Sequence, residues 1–330
     1  MKKWIAILCA GALTITACSG DNSDSDTSQR KEVVLLAYDS FTPEDGIFDA
    51  FTQDTGYTVT VVTGGDSGAV ISKAILTAGN PEGDVLWGVD NTSLSRVNNA
   101  DVFASYDEVN TGDICINIDT QWFASRNLPT PTTLEDLVRP DYKDLLVVQD
   151  PVSSSPGLGF LLGTIAHFGD DAWPKYWESL TKNGVLVVPD WTTAYYTNFS
   201  GSSGNGDRPL VVSYGSSPPA EVVFSDPPID TPPTSVMESS CFRQIEYVGA
   251  LRGARNSAGA TALVKYLLDI EFQESMPLTL FVYPINPDAR LPEVFMKFAL
   301  QPTNPLTLAP DVIADNRDMW LETWREIVLS

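Results

Sequence analysis

Short apolar runs alternate with segments of helical periodicity from Lys31 onward. Val33–Asp39 is rich in β-branched residues, which favour strands, whereas Ser67–Ala78 carries its apolar residues at helical spacing. The pattern predicts strands at Val33–Asp39, Thr58–Thr63, Asp84–Val89, Asp113–Asp119, Leu145–Gln149, Val185–Pro189, Leu210–Tyr214 and within Cys241–Leu251. It predicts helices near Glu44–Gln53 and at Ser67–Ala78, Asn91–Asn98, Gly157–Phe168, Asp171–Asn183, Thr192–Phe199, Ala258–Leu268 and Asp311–Leu329, with a further helix start at Thr132. This order favours an α/β fold whose parallel or mixed sheets are covered by helices.

Two segments are predicted to be surface loops. Ser200–Arg208 is rich in Gly and Ser, and Pro218–Pro233 contains six prolines. Gly and Pro interrupt regular structure, and connecting segments run over protein surfaces, so both stretches should lie outside the core.

The composition excludes several classes of function. The 330-residue chain has 43 Asp and Glu against 20 scattered Lys and Arg, a formal net charge of −23. Such a chain repels phosphate backbones, so we expect no nucleic-acid partner. Its single histidine, His167, leaves almost no material for a multi-His zinc site or a His-centred catalytic triad. We therefore expect no metal site, no cofactor and no enzymatic activity.

The N-terminal segment has the pattern of an export signal. Lys2 and Lys3 precede the apolar run Trp4–Ile15, which is too short to span a bilayer. The run leads into Ile15-Thr16-Ala17-Cys18, which resembles a bacterial lipobox, and a polar stretch follows it. We expect residues 1–17 to be a lipoprotein signal peptide and residues 18–30 a flexible tether. The product would be exported and held at the outer face of the cell membrane, or in the periplasm, by lipid on Cys18.

Two cysteines, Cys115 and Cys241, lie in the predicted folded body. In an oxidising compartment an even pair favours a disulfide bond, which would join two neighbouring strands here. Two separate buried thiols are the alternative, and the sequence leaves both open.

The segments that follow the predicted strands share aromatic side chains, hydroxyls and a few carboxylates. In open α/β sheets, ligands bind beyond the carboxyl ends of the strands. A set of this kind suits a flat, cationic heteroaromatic molecule, because aromatic faces attract a ring cation and hydroxyls can hold a phosphate or hydroxyl tail. The same residues could instead anchor the core or cap helices, so the inference depends on their coincidence at strand ends. The segments are Tyr38–Phe41, Gly64–Gly68, Asp150–Gly157, Asp190–Tyr196 and Ser213–Pro218.

A series of short motifs runs in order along the chain from about Val33 to Ile327. They are Tyr38-Asp39-Ser40-Phe41, Gly88-Val89-Asp90-Asn91, Gln149-Asp150-Pro151, Ser155-Pro156-Gly157-Leu158-Gly159, Asp170-Asp171-Ala172, Trp191-x-x-Ala194-Tyr195, Ser213-Tyr214-x-x-Ser217-Pro218, Tyr283-Pro284 and Trp320-x-x-x-Trp324. Together they resemble the thiamine-binding periplasmic proteins of ABC importers.

The resemblance implies a two-lobed, periplasmic-binding-protein-like (type II) α/β fold with mixed sheets covered by helices. We expect residues 31–113 plus 248–285 to form one lobe and residues 114–247 plus 286–330 the other, with a ligand cleft between them. The implied ligand is thiamine or its phosphates. The implied partner is an ABC transporter permease, to which a monomeric carrier would deliver the ligand.

The resemblance also assigns roles to individual residues by position. Asp66 is assigned to the aminopyrimidine, Trp191 and Tyr214 to ring stacking, and the serines to the hydroxyethyl or phosphate end. Phe281 and Ala220 stand where the family has Trp and often Tyr. The complete ligand-binding set that we expect is Tyr38, Asp66, Ser67, Ser154, Ser155, Trp191, Tyr214, Gly215, Ser216, Ser217 and Phe281.

Three other functions compete with this interpretation. A ferric-ion carrier of the same superfamily could use Tyr195 and Tyr196 as phenolate ligands. An exported serine hydrolase could use Ser154 as its nucleophile, but it would need a base, and we expect His167 to pack on an apolar helix instead. An adhesion or structural lipoprotein would bind no small molecule tightly.

Overall fold

A computed structural model describes residues 31–202 and 206–329, and its strands form two mixed sheets. The first sheet contains β1 (Glu32–Ala37), β2 (Thr58–Thr63), β3 (Val85–Asp90), β4 (Phe103–Thr111), β10 (Ile245–Leu251) and β11 (Tyr283–Pro284). Their order is β11-β4-β10-β3-β1-β2. β1 lies parallel to β2 and β3, whereas β10 runs antiparallel to β3 and β4.

The second sheet contains β5 (Ile114–Asp119), β6 (Leu146–Gln149), β7 (Leu186–Val188), β8 (Leu210–Tyr214) and β9 (Thr234–Phe242). Their order is β7-β6-β8-β5-β9. β6 lies parallel to β7 and β8, and β5 runs antiparallel to β8 and β9. Both sheets are therefore mixed, as the alternation of apolar runs and helical segments predicted.

Helices cover both sheets. They are α1 (Asp49–Thr55), α2 (Ser67–Leu76), α3 (Leu94–Asn99), α4 (Thr120–Ser125), α5 (Ser155–Phe168), α6 (Trp173–Lys182), α7 (Pro218–Val223), α8 (Ser257–Leu267), α9 (Ile270–Thr279), α10 (Glu293–Phe298) and α11 (Pro310–Val328). Short 3₁₀ turns occupy Glu135–Val138 and Pro140–Tyr142, and Thr193–Asn198 forms a π-helical turn. No helix within these described ranges is long and apolar enough to cross a membrane.

Each sheet packs against its helices through its own apolar core. In the second core, α5 is buried along most of its length, and its glycines let it approach the sheet closely. A Cβ atom on Gly157 would lie 2.5 Å from the carbonyl oxygen of Gln149, so a larger residue there would displace the helix. The last helix, α11, packs on α6 through Trp324, whose ring meets that of Trp177 edge-on at 5.7 Å. Ile313, Trp320 and Trp324 of this helix thus belong to the core of the second sheet.

After β11 the chain returns to the side of the second sheet, where α11 packs on α6, and its two earlier crossings between the sheets are adjacent. One crossing follows β4 at Gly112 and Asp113, and the other lies between β9 and β10 at Arg243 and Gln244. The predicted strand run Cys241–Leu251 is therefore divided between two sheets. β10 begins at Ile245, ahead of the lobe boundary proposed at Val248.

Two secondary-structure predictions are wrong. Pro218–Pro233 is not all loop, because Pro218 and Pro219 start α7 and are buried, and proline is well suited to the first turn of a helix. Thr132 precedes only a 3₁₀ turn. The nine-residue strand β4 has exposed polar residues through its middle and was not predicted. The signal peptide, the tether and Cys18 lie outside the described residues, as does part of the Ser200–Arg208 loop.

Candidate ligand-binding cleft

A cavity of about 300 Å³ lies where segments belonging to the two sheets meet. The first sheet contributes the turn after β1 and the segment between α9 and β11, and the second contributes the π-helical turn, the end of β8 and α7. Aromatic side chains line much of its wall, together with several hydroxyl-bearing residues. The lining residues are Tyr38, Asp39, Ser40, Thr42, Trp191, Thr192, Tyr195, Tyr196, Tyr214, Ser217, Ala220, Phe224, Thr279, Leu280, Phe281 and Val282.

Four aromatic rings form one wall of the cavity. Trp191 stacks on Tyr195 with ring centroids 5.0 Å apart and an interplanar angle of 18°. Tyr196 meets Trp191 edge-on at 5.4 Å, and Tyr214 lies tilted at 6.4 Å. Offset and edge-on contacts of this kind stabilise an aromatic cluster and fix the orientation of its rings. The wall is therefore held in place without a ligand.

Hydrogen bonds at both ends hold Trp191. Its indole Nε1 donates to Ser213 Oγ at 2.9 Å, and its backbone N–H donates to Asp66 Oδ2 at 3.1 Å. The π-helical turn that follows is started by Asp190, whose Oδ1 accepts from the backbone N–H of Thr193 at 2.7 Å. The Trp191 ring is thus fixed to the second sheet, while its backbone N–H is bonded to Asp66, which follows β2 of the first sheet.

A buried carboxylate lies behind the opposite wall. Tyr38 Oη donates to Glu246 Oε2 at 3.3 Å, and Asn110 Nδ2 donates to the same oxygen at 2.7 Å. Glu246 is only 2% exposed, and its Oε1 has no hydrogen-bond partner among the described residues. Burial raises the pKa of Glu246 from 4.5 to about 7, and the carboxylates of Asp90 and Asp66 add to that increase. Burial followed by the Glu246 charge raises the pKa of Tyr38, and of Tyr214, well above 10.

The predicted polar residues Asp66, Ser67, Ser154 and Ser155 do not line the cavity. Asp66, Ser67 and Ser155 bond where the N-termini of α2 and α5 meet, whereas the buried Ser154 Oγ has no hydrogen-bond partner among the described residues. The backbone N–H of Ser155 donates to Ser67 Oγ at 3.1 Å, and that of Gly68 donates to the Ser153 carbonyl at 3.0 Å. We call this set of contacts, together with the Trp191 N–H to Asp66 bond, the interlobe lock. The lock joins the two sheets through hydrogen bonds that are already satisfied.

Asp66 is the only carboxylate in the interlobe lock. Its Oδ1 accepts from the backbone N–H of Ser67 at 2.7 Å, which caps α2. Burial raises the pKa of Asp66, while the nearby hydroxyl of Ser154 and the N–H groups of Ser67 and Trp191 act in the opposite direction. The side chain therefore works as both a helix cap and a link between the sheets.

The loop after β8 combines a shaping role with a lining role. Ser217 lines the cavity, and its Oγ lies 2.9 Å from Ser213 Oγ. Ser216 does not line it, but its Oγ donates to the carbonyl of Phe281 at 2.6 Å. Gly215 is required by close packing, because a Cβ atom there would lie 2.7 Å from the Leu300 carbonyl oxygen. Phe281 lies in the cavity wall with φ +53° and meets Phe224 edge-on at 5.6 Å.

A family model described as bacterial extracellular solute-binding protein matches residues 85–297, more than half of the chain. The chain belongs to this family. A thiamine-binding periplasmic protein of Salmonella typhimurium is 26% identical over 90% of this chain and 93% of its own. The counterpart in Brucella suis is 28% identical over 90% and 92%. Among solved structures, a periplasmic thiamin binding protein superposes with a TM-score of 0.79 at 23% identity, covering 92% of this chain and 98% of its own.

These comparisons confirm the predicted family resemblance and the type II α/β fold. The relatives are binding proteins found in the periplasm, so the chain is a solute-binding protein. Of the expected site residues, the structure brings Tyr38, Trp191, Tyr214, Ser217 and Phe281 together around one cavity. The remaining six do not line it. The side chains of Asp66, Ser67, Ser155 and Ser216 bond other protein atoms, Gly215 packs closely on Leu300, and Ser154 Oγ is buried without a partner among the described residues.

Several residues of the cleft were not predicted from the sequence. Phe224 lies in the stretch that was read as a proline-rich loop, so nothing drew attention to it. Glu246 stands within an apolar strand run, and a lone acidic residue in such a run is a signal that could have been used. Thr42, Thr279, Leu280 and Val282 also line the cavity and carry no motif.

The residues that a serine hydrolase or a ferric-ion carrier would need are either far apart or bonded to other side chains. His167 bonds Glu135 across 2.8 Å at the end of α5, about 20 Å along that helix from Ser154 at its start. It is partly exposed, so the prediction that it packs on the apolar face is wrong. Tyr195 Oη donates to Glu221 at 2.8 Å, whereas Tyr196 is 44% exposed. Across the ranges that the structure describes, no three His, Cys, Asp or Glu side chains are grouped to hold a metal.

Cys115 on β5 and Cys241 on β9 form a disulfide bond with Cα atoms 4.2 Å apart. Both residues are fully buried. The bond joins neighbouring strands of the second sheet, next to the two crossings at which the chain passes to the first sheet.

Proposed function

We propose that this chain is the lipid-anchored solute-binding component of an ABC importer, and that it captures thiamine or its phosphates in the cleft between its lobes. The observation that carries the proposal is the aromatic cavity of about 300 Å³ between the two sheets. It lies in a chain whose relatives include thiamine-binding periplasmic proteins over nine-tenths of its length. The volume is at the lower end of the range for small-molecule sites.

The chemistry of the walls supports a ring cation as the ligand. Trp191 and Tyr214 line the cavity, and a desolvated cation–aromatic contact stabilises a complex by about 2 kcal/mol. Tyr38 and Phe281 close the space from the side of the first sheet. Ser217 offers a hydroxyl for the polar parts of the ligand. We assign these five residues to direct ligand contact.

The other expected site residues receive a different role in this proposal. Asp66, Ser67 and Ser155 hold the two lobes together over a bound ligand through the interlobe lock, and Ser154 precedes α5 beside them. Their hydrogen bonds join the segments after β2 and β6 and do not open onto the cavity. Gly215 and Ser216 shape the loop that carries Ser217. The original assignment of Asp66 to the aminopyrimidine would require the lock to open.

Export and anchoring complete the proposed function. The N-terminal pattern ending in Cys18 supports cleavage of residues 1–17, lipid attachment and a tether. The Cys115–Cys241 disulfide is compatible with folding in an oxidising compartment. A monomer held at the membrane in this way would deliver its ligand to a permease in the same membrane.

The two alternatives with a chemical site receive less support from the geometry. A ferric carrier needs phenolate ligands, but burial and the Glu221 charge raise the pKa of Tyr195 well above 10. A serine hydrolase needs a base within hydrogen-bond reach of Ser154, and His167 lies at the far end of α5. The described contacts favour aromatic stacking over metal ligation or nucleophilic attack.

Titration calorimetry of the purified protein with thiamine, thiamine monophosphate and thiamine diphosphate tests the proposal. We expect one-to-one binding of at least one of the three, together with a rise in the thermal unfolding temperature. If none of the three compounds produces binding heat or a thermal shift, the proposal is wrong. A red or orange colour after loading with ferric iron would point to the iron carrier instead.

A further inference from the structure

Contacts at the cavity itself join the two sheets a second time, apart from the interlobe lock. Ser216, which follows β8 of the second sheet, donates its hydroxyl to the carbonyl of Phe281 at 2.6 Å. Phe224, directly after α7, meets the Phe281 ring edge-on at 5.6 Å with an interplanar angle of 65°. Phe281 lies between α9 and β11, on the side of the first sheet. We call these two contacts the rim contacts, and both hold the same residue from the opposite side of the cleft.

Phe224 lies where the cavity meets solvent. Its side chain lines the cavity, yet the residue is 64% exposed. The ring therefore borders both the ligand space and the surrounding water. Because Phe224 and Phe281 belong to different sides of the cleft, their edge-on contact spans the cleft at this border.

Phe281 has a backbone conformation that favours glycine. It follows Leu280, the C-cap of α9, and its φ is +53°. Its N–H donates to the Met276 carbonyl at 3.0 Å, which closes the last turn of the helix. Glycine is the commonest residue at this position of a helix end, because a Cβ atom is disfavoured there. A strained residue with a large side chain at such a position indicates that the ring itself is needed at the rim.

Each rim contact joins segments that are anchored in different cores. Val282 and Met276, on either side of Phe281, are buried in the apolar core of the first sheet. Ser216 is also buried, in a loop whose position Gly215 fixes by close packing. Separation of the two sides of the cleft would therefore break both rim contacts.

We propose that Ser216 and Phe224 are positioning residues that retain the bound ligand by holding Phe281 across the rim of the cleft. This inference rests on the proposed function. A ligand leaves after the two sides of the cleft separate, so the rim contacts slow its dissociation. A ligand enters before these contacts form, so its association rate does not depend on them. Because both contacts act through Phe281, the loss of either one releases the same segment.

Stopped-flow tryptophan fluorescence tests the role of Phe224, with thiamine, or whichever of its phosphates binds most tightly, as the probe. We expect Phe224→Ala to raise the dissociation rate constant about tenfold and to change the association rate constant less than about twofold. Val223→Ala is the matched control, because Val223 is also exposed but does not line the cavity, and both of its rate constants should equal those of the wild type. An unchanged dissociation rate constant in Phe224→Ala would overturn the inference.

Phe281→Gly distinguishes an action through Phe281 from a direct contact between Phe224 and the ligand. Glycine fits the backbone at this position, so the fold is retained while the ring is lost. We expect faster dissociation in Phe281→Gly and no further increase when Phe224→Ala is added, because the ring on which Phe224 packs is already absent. A further tenfold increase in the double variant would mean that Phe224 contacts the ligand itself, and it would refute the positioning role.

Ser216→Ala removes the other rim contact without changing the lining of the cavity. We expect dissociation about fivefold faster than in the wild type. Ser239→Ala is the matched control, because the Ser239 hydroxyl likewise donates to a carbonyl of another segment, that of Thr132 at 2.7 Å, and neither residue lines the cavity.

A double variant tests whether the two rim contacts act together. Ser216→Ala combined with Phe224→Ala should raise the dissociation rate constant well below the roughly fiftyfold product of the single effects. The full product would show that the contacts act independently, which would refute their shared action through Phe281. If Ser216→Ala does not fold, the comparison of Phe281→Gly with and without Phe224→Ala decides the question.

The outcomes separate this inference from the proposed function. Ligand binding with an unchanged dissociation rate constant in Phe224→Ala refutes the inference and leaves a thiamine-class carrier in place. Absence of binding of thiamine and of both phosphates to the wild type refutes the proposed function, and the inference with it.

Discussion

The aromatic wall and the interlobe lock come from the same kind of position, a segment that follows a strand, yet their side chains do different things. Trp191, Tyr195 and Tyr214 lie around a space of about 300 Å³. Ser67 and Ser155 are buried against each other and leave no such space. A hydroxyl can be satisfied by a backbone N–H of the opposite lobe, whereas the aromatic rings are held by one another and still border the cavity. Position at a strand end therefore identifies the site, and the chemistry of each side chain decides whether it contacts ligand or protein.

Trp191 belongs to both regions, because its ring is part of the wall and its backbone N–H is part of the lock. Substitutions can separate these two roles, since a side chain can be removed without removing the N–H. Ligand affinities of such variants therefore show separately what the aromatic wall and the interlobe lock contribute to binding.

Removal of the Trp191 side chain should have the largest effect on affinity. Trp191→Ala retains the N–H that bonds to Asp66 but deletes the stacking face, and we expect thiamine binding to weaken about 100-fold. Calorimetry measures the loss. Trp324→Phe is the control: Trp324 is fully buried between α6 and α11, so that variant should lower the unfolding temperature and leave affinity unchanged. Equal losses in the two variants would mean that the cleft lies elsewhere.

Wedging the lock should have the next largest effect. In Gly68→Ala the new Cβ would lie 2.6 Å from the Ser153 carbonyl oxygen, so the lobes must move apart there. Overpacking of this kind costs about 2 kcal/mol, which corresponds to a roughly 30-fold loss of affinity with the aromatic wall intact. Small-angle scattering should show a larger radius of gyration with ligand present.

Gly64→Ala is the matched control for this variant, because a Cβ at Gly64 has no neighbour within 4 Å. Wild-type affinity in Gly68→Ala would show that ligand binding does not require the lock.

The pH dependence of binding tests how much the charge of Glu246, behind the cavity wall, contributes to thiamine affinity. Folding raises the pKa of Glu246 from 4.5 to about 7. Between pH 4.5 and pH 7 the folded protein therefore keeps a proton on this carboxyl that the unfolded chain has already lost. The free energy of unfolding contributed by this group therefore falls as pH rises from about 4.5 to 7. A cation favours the ionised form, so thiamine affinity should rise by up to about tenfold from pH 6 to pH 8.

Buffers of different ionisation enthalpy will report the proton released on binding near pH 6.5. The groups that face Glu246 are Asp90, Asp66 and Tyr38, whose influence is included in its raised pKa. Glu246→Gln should flatten the profile. A profile that is unchanged in that variant would assign the pH dependence to another group.

The smallest effect is expected at Ser217. Its hydroxyl accepts from the Tyr214 N–H at 3.2 Å and pairs with Ser213, so Ser217→Ala loses hydrogen bonds worth about 1 kcal/mol. We expect affinity to fall about fivefold through a small shift of the Tyr214 ring. Ser179→Ala, on the exposed side of α6, is the control and should bind as the wild type. A loss as large as that of Trp191→Ala would mean that Ser217 bonds the ligand directly.

Most of the fold could be predicted from the sequence because most elements have strongly periodic apolar faces. β1, β2 and α2 begin and end close to their predicted limits. β4 was missed because its central residues are polar and exposed, and its pairing with β10 is interrupted by bulges. α7 was missed because consecutive prolines were read as loop, although proline is favoured in a first helical turn.

Only part of the site could be predicted, namely the side chains whose type and place at a strand end already indicate a binding role. Aromatic residues at strand ends, such as Trp191 and Tyr214, are found where the sequence placed them. The engagement of Ser67 with Ser155 depends on how the two lobes approach each other, and residues 88 positions apart carry no local signal of it. Glu246 was missed for a related reason, because its strand reads as apolar and its partners Tyr38 and Asn110 are 208 and 136 positions away.

The disulfide bond turns the second sheet into a closed covalent ring. The ring runs from Cys115 to Cys241 and contains β6, β7 and β8, and both of its exits lead into the crossings to the first sheet. The two cysteines are separated by 126 residues. Closing a loop of this length lowers the conformational entropy of the unfolded chain, which raises the free energy of unfolding by about 5 kcal/mol. A single proteolytic cut in the loop between residues 200 and 208 would therefore leave one molecule, whose two pieces separate only after reduction and unfolding.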